Sequence, residues 1–218
     1  MELEEANNLL DHFFLNGGMD HWVSKISGDD EFYVKDLRAL IDNKLTTPVD
    51  NPTLWIKIVP LKVIGFVWCT FMDRIPTTVA LSCRGIQPAS ISCPFCDYGR
   101  DDTYHILLGC DVVLEAQVWL YKWCNIPFQS SVSIGEFVNF AGTWGHYPKK
   151  REIVLSIWHG FLWCCCKTRS DMVFNKIHTS SSKLVDNVIT LVYSWVSVGG
   201  NFGNYNWANW CCCLLNIL

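Results

Sequence analysis

Cys93-Pro94-Phe95-Cys96, followed by His105 and Cys110, forms a Cys-x2-Cys-x8-His-x4-Cys array within eighteen residues. Three thiols and one imidazole are four soft or borderline donors, the ligand set of a tetrahedral zinc ion. Two cysteines separated by two residues can aim both sulfurs across one tight turn, and Pro94 favours that turn. His105 and Cys110 close the site from a following segment, and Thr103–Leu108 is expected to be a short helix. Four protein ligands leave no position for water, so the array predicts a structural zinc site rather than a catalytic one. In a chain with 12 cysteines, a Cys-x-x-Cys alone arises by chance in about every second sequence. The histidine and third cysteine at zinc-ligand spacing lower that expectation to about one in twenty-five. The competing reading is a fortuitous set of buried thiols. Cys83 is expected to be a nearby bystander.

Other chemistry finds less support. A polymerase centre needs clustered carboxylates to hold two magnesium ions, and the chain has no Tyr-x-Asp-Asp segment. Its paired aspartates, Asp29-Asp30 and Asp101-Asp102, are expected to be solvated turns or caps. No catalytic residue and no polymerase activity is therefore expected of the chain alone. Cys93 or Cys96 as a redox nucleophile would need a thioredoxin-like βαβ setting, and the surrounding pattern is helical. His12, His21, His146, His159 and His178 stand apart from any nucleophile and are expected at the surface or as satisfied core residues. Trp55, Trp68 and Trp119 are expected in the core, because base stacking would require them exposed beside a basic groove.

The elements that must position the array come from a chain of 218 residues, 50% hydrophobic, with 11 Trp and 12 Phe, which is ample material for a core. The net charge of −4 offers no overall attraction to nucleic acid. Lys57, Lys62, Arg74, Arg84 and Arg100 near the array are offset by Asp73, Asp97, Asp101 and Asp102. RNA or DNA is thus expected to bind weakly, with a polymerase domain or another protein as the other class of partner. The acidic start, Met1-Glu2-Leu3-Glu4-Glu5, lacks the plan of a secretory signal, and the triplets Cys164–Cys166 and Cys211–Cys213 do not suit a spaced disulfide framework. Reduced thiols in the cytoplasm or nucleus are the expectation. No apolar run reaches the roughly 18 to 20 residues of a membrane span.

Apolar spacing predicts helices over Glu2–Leu15, Lys35–Asn43, Val112–Cys124, Ile134–Ala141, Lys149–Asn175 and Leu184–Val198. Pro60 is placed to begin a helix that is apolar on all sides and therefore buried, and Thr77 caps a short one ending at Arg84-Gly85. His21–Ile26 and Phe32–Val34 read as a hairpin about Gly28-Asp29-Asp30. The expected fold is mainly α: a small helical domain built around the Cys-Cys-His-Cys zinc site, with a short N-terminal β-hairpin. The expected divisions are an extension over 1–50, the zinc-binding domain over 51–125, a helical region over 126–198 and a tail over 199–218.

The array and its flanks together resemble the zinc-binding region that follows the polymerase domain in plant LINE-type (non-LTR) retrotransposon reverse transcriptases. Trp55, Val59-Pro60-Leu61-Lys62-Val63 and Phe66-Val67-Trp68 are similar to that family's Trp, "vPxKv" and "FxW" block. Ile75-Pro76-Thr77 resembles its "lPT", and Leu81-Ser82-Cys83-Arg84-Gly85 its "LxxRG". The likeness runs from about Asp20 to Val198 and is densest between Trp55 and Trp119. Lys167-Thr168-Arg169 and Val173-Phe174-Asn175 resemble the segment "WKxRNxxxFN", with Cys166 where a Trp is usual and Ser170 where an Asn is usual. Asp101 replaces a usual Glu. The resemblance implies a detached accessory part of an RNA-directed DNA polymerase, held together by zinc and assisting engagement of nucleic acid. A zinc-stapled protein-interaction module is the alternative.

Overall fold

The computed structural model describes residues 31–45, 55–144, 148–199 and 206–212. The chain divides into two compact units, Met1–Asp50 and Asn51–Leu218. In the first, the described residues hold helix α1 (Val34–Leu45). Val34, expected in a strand, opens this helix instead, because it extends the helical apolar spacing of Leu37 and Ile41 by one turn. The first strand of the expected hairpin and the helix expected over Glu2–Leu15 lie outside the described residues.

The second unit contains α2 (Leu61–Phe71), α3 (Thr78–Cys83), a π-helical turn (His105–Gly109), α4 (Asp111–Trp123) and α5 (Ile134–Thr143). It continues with α6 (Pro148–Ser170), a second π turn (Asp171–Asn175), α7 (Ser181–Gly199) and α8 (Trp207–Cys212). Among the described residues the only β pairing is an isolated antiparallel bridge between Ser92 and Arg100. The short α3 is held at both ends. Thr77 Oγ1 accepts from the Ala80 amide at 3.1 Å, and Gly85, at φ +83°, takes the left-handed turn that follows.

The centre of this unit is α6, which packs against α2, α5, α7 and the first π turn. Every residue from Ile153 to Leu162 is buried. Two of its polar side chains are satisfied within the helix, Ser156 Oγ donating to the Glu152 carbonyl at 2.7 Å and His159 Nδ1 lying 2.8 Å from the Leu155 carbonyl, while the buried Trp158 indole N–H has no partner among the described residues. Burial pushes the His159 imidazole below its ordinary pKa, the Leu155 bond opposing the shift, so it sits in the core as a neutral donor. Trp158 meets Tyr121 of α4 and Phe137 of α5 at ring-centroid distances of 5.0 and 5.6 Å. Each such pair contributes about 0.5–1.5 kcal/mol beyond its buried area.

Burial on all sides, expected for the helix after Pro60, belongs to α6 instead. In α2 only the stripe Val63, Ile64, Val67 and Thr70 is buried, while Leu61 and Trp68 are exposed. The stripe meets α6 along a single face, and one contact face buries one stripe of a helix. Residues 199–218, expected to be a tail, include α8, whose Trp210 is buried against Trp123 and Tyr193 and donates its indole N–H to the Ile189 carbonyl at 3.1 Å. Among the described residues no helix is long and apolar enough to cross a membrane.

Candidate metal centre

Cys93 to Gly99 folds into a knuckle. The Asp97 amide donates to the Cys93 carbonyl at 2.9 Å, the Cys93 amide to the Gly99 carbonyl at 2.7 Å, and the Gly99 amide to Cys96 Sγ at 3.3 Å. Asp97 takes φ +65°, a left-handed conformation that aspartate tolerates better than most side chains. These bonds turn both cysteine sulfurs to one side. Tyr98 reaches out of the knuckle to donate its phenol to the Asp111 carboxylate, and that bond holds the phenol up at about 12.

The other two donors come from the π turn, and their spacing explains it. Five residues along an α-helix rotate a side chain by about 500°, leaving His105 and Cys110 roughly 140° apart. A π turn winds more slowly and brings the two back toward one side. Its wide bond is present: the Cys110 amide donates to the His105 carbonyl at 2.8 Å. Asp102 caps the start, its Oδ1 accepting from the His105 amide at 2.8 Å. Gln117 closes the end by donating to the Leu108 carbonyl at 3.2 Å. The short α-helix expected over Thr103–Leu108 is therefore widened.

Knuckle and π turn bring Cys93, Cys96, His105 and Cys110 together, with one donor atom from each lying within 4.8 Å of all the others. Cys93 Sγ and Cys110 Sγ are 3.9 Å apart, and Cys96 Sγ and His105 Nε2 are 3.3 Å apart. Zinc–sulfur and zinc–nitrogen bonds of ordinary length span tetrahedral edges of about 3.8 Å between two sulfurs and about 3.6 Å between sulfur and nitrogen. The four residues fit that polyhedron. Cys93 and Cys110 are buried, and Cys96 and His105 are half-buried. Cys83, at the end of α3, is exposed and takes no part.

The two buried sulfurs are polarised in opposite directions, Cys110 toward the anion and Cys93 toward the thiol. The Cys93 thiol donates to Cys110 Sγ, and this bond is the first cause that holds Cys110 down to about 5. The backbone amides of Val112 and Val113, at the start of α4, act in the same direction against burial. Cys93, as the donor and deeply buried, is pushed up.

Asp101, expected to be a solvated turn or cap, is completely buried. Arg169, near the end of α6, grips it with both arms: Nε donates to Oδ1 at 3.1 Å and Nη2 to Oδ2 at 2.5 Å. The Thr78 amide at the start of α3 donates to Oδ2 at 2.8 Å, and Arg169 Nη1 reaches the Pro76 carbonyl at 3.4 Å. A carboxylate can leave water only when its oxygens are so occupied. The pair ties the segment between knuckle and π turn to the central helix. It went unread in the sequence because 68 residues separate the partners. Asp101 sits where the resemblance led one to expect Glu, and it still supplies a carboxylate.

The tryptophans expected in the core are at the surface: Trp55 is 75%, Trp68 43% and Trp119 48% exposed. Trp68 and Trp119 lie beside, not on, the stripes that meet the core, Val63, Ile64, Val67 and Thr70 in α2 and Val113, Ala116, Gln117, Leu120 and Tyr121 in α4. Lys57, Lys62, Arg74, Arg84 and Arg100 are all exposed, with Lys62 Nζ 5.7 Å from the Trp163 ring centroid. Gly99 is a positioning residue that the spacing argument missed. A Cβ there would overlap the His105 ring, including Nε2. Gly99→Ala is expected to displace the imidazole and lower zinc affinity about 10- to 100-fold, as loss of a supporting contact does at metal sites. Competition with a chromophoric chelator measures this, and unchanged affinity would refute the role.

Residues 32–119 match the family model described as zinc-binding in reverse transcriptase. The matched stretch contains all four cluster residues. No curated protein and no solved structure matches the chain.

Proposed function

We propose that the chain is a non-catalytic, zinc-stapled accessory module of a retrotransposon-type reverse transcriptase, of the plant LINE type that its Trp55–Trp119 blocks resemble. The observation that carries this reading is the Cys3His cluster inside the stretch that matches the reverse-transcriptase zinc-binding family. Zinc held there supplies a closed cross-link with no open coordination position. Cys93 and Cys96 hold it from the knuckle, His105 and Cys110 from the π turn. The paired aspartates near the site are not a magnesium cradle: Asp101 is occupied by Arg169 and Asp102 caps the turn. The acidic balance of the chain makes the assistance given to a polymerase one of weak, salt-sensitive contact with RNA or DNA.

A second reading, a protein-interaction module, is favoured by Leu114, Val118 and Trp119, which are exposed together on α4.

Elemental analysis of metal-replete protein is expected to give one zinc per chain. Native alkylation is expected to modify the exposed Cys83 and Cys211, and to reach Cys93, Cys96 and Cys110 only after chelation. Cys164 and Cys165 stay unreactive in both states, because burial raises their thiol pKa values, that of Cys164 to about 12. Well under one zinc per chain, or alkylation of the cluster that ignores the chelator, overturns the metal reading.

A further inference from the structure

Far in sequence from the metal cluster, a half-open cleft of about 680 Å³ lies between the C-terminal part of α6 and α7. That volume suits a small ligand or one segment of a longer one, since such pockets run to about 300–1,000 Å³. In a chain of net charge −4 the cleft gathers hydrogen-bond donors: the ammonium groups of Lys167 and Lys183, the imidazole of His178 and the amide of Asn187. Neither lysine is ion-paired among the described residues. The one carboxylate in the lining, Asp171, already accepts from Asn175 Nδ2 at 2.9 Å.

Thr168 is the decisive group. It lines the cleft and is only 5% exposed, yet its hydroxyl has no hydrogen-bond partner among the described residues. Thr190 and Ser194, on the facing helix, instead donate to the carbonyls of Asp186 and Leu191 at 2.8 and 2.6 Å. The Thr168 side chain is otherwise packed, but its hydroxyl is not among the polar atoms sealed from solvent without a partner, so it is reachable from the cleft and uncommitted to the protein, able to donate to an acceptor that arrives there. The first turn of α7, capped by Ser180 through the Lys183 amide at 3.3 Å, turns the positive end of a 19-residue helix toward the same region. Unpaired cations, an uncommitted hydroxyl donor on a packed side chain and a helix start together call for a compact anion rich in acceptors, and Trp163 and Leu191 offer an apolar wall for an attached uncharged group.

We propose that this cleft binds a phosphate group, carried either by a free nucleotide or by the phosphodiester backbone of a single-stranded nucleic acid. The strand form rests on the accessory function proposed above; the phosphate chemistry does not.

The test uses the zinc-replete full chain at low salt, titrated with inorganic phosphate, adenosine monophosphate and a twelve-nucleotide oligothymidylate. Binding to wild type is expected, with the Lys167→Glu/Lys183→Glu pair weakening it at least tenfold. For a single strand, removal of two phosphate contacts lowers the slope of log affinity against log salt by about 1.4. Thr168→Val keeps the shape of the side chain and is expected to weaken binding severalfold, with zinc content and helix signal unchanged. An oligonucleotide that binds much more tightly than the nucleotide assigns the cleft to a strand; equal affinities assign it to a nucleotide. Absence of binding to all three ligands overturns the proposal. Binding that survives the cleft changes but is lost in Lys57→Glu/Arg84→Glu also overturns it, and leaves an accessory role working through the metal-site face. Failure to take up zinc with cleft binding intact refutes the metal reading alone.

Discussion

Cys96→Ser is expected to abolish stoichiometric zinc binding and to open Pro88–Cys110, whereas Cys124→Ser leaves both intact. Cys124 is completely buried and Cys96 only half-buried, so a purely structural account of buried thiols predicts the opposite order. The metal account reverses it. The unfolded segment has no preformed site, so metal-binding free energy is folding free energy for whatever the ligands hold together. What they hold is a loop and a π turn with one isolated bridge between Ser92 and Arg100. The helices of the same unit have a core of their own around Trp158 and keep their structure. Hydrogen exchange over Pro88–Cys110 is therefore expected to accelerate on the order of 100-fold in Cys96→Ser, while α6 and α7 are little changed. Equal proteolytic or exchange behaviour of the two variants would favour fortuitous buried thiols.

Arg169→Met is expected to destabilise the second unit by about 3–5 kcal/mol, because it strands the fully buried Asp101 carboxylate without its cation. The loss is not a measure of what the ion pair contributes. Replacing both partners, Asp101→Asn with Arg169→Met, should recover most of it, since the asparagine carbonyl can still accept from the Thr78 amide. Urea unfolding of the two single variants and the double variant measures the coupling. A single Arg169→Met variant within about 1 kcal/mol of wild type would mean that water or another group reaches Asp101, and would end the view of this pair as the tie between metal segment and central helix. Zinc stoichiometry separates this from the first prediction: Arg169→Met keeps its metal at low denaturant, and Cys96→Ser does not.

Sequence alone determined those features that depend on near neighbours. Metal ligands must lie within a few ångströms of one another, so Cys93, Cys96, His105 and Cys110 are tied by short spacings that can be counted along the chain. Helical periodicity placed α4, α5, α6 and α7 to within a few residues for the same reason, and Thr77 announced its cap locally. Tertiary structure decided what depends on partners distant in the chain. The widened turn at His105–Gly109 follows from the need to meet the knuckle, not from any propensity of its residues. The pairing of Asp101 with Arg169 joins two polar residues that separately look solvated. The exposure of Trp68 and the full burial of α6 share one cause. Apolar content says that a helix seeks cover, but the number of its faces that are covered depends on how many other helices reach it.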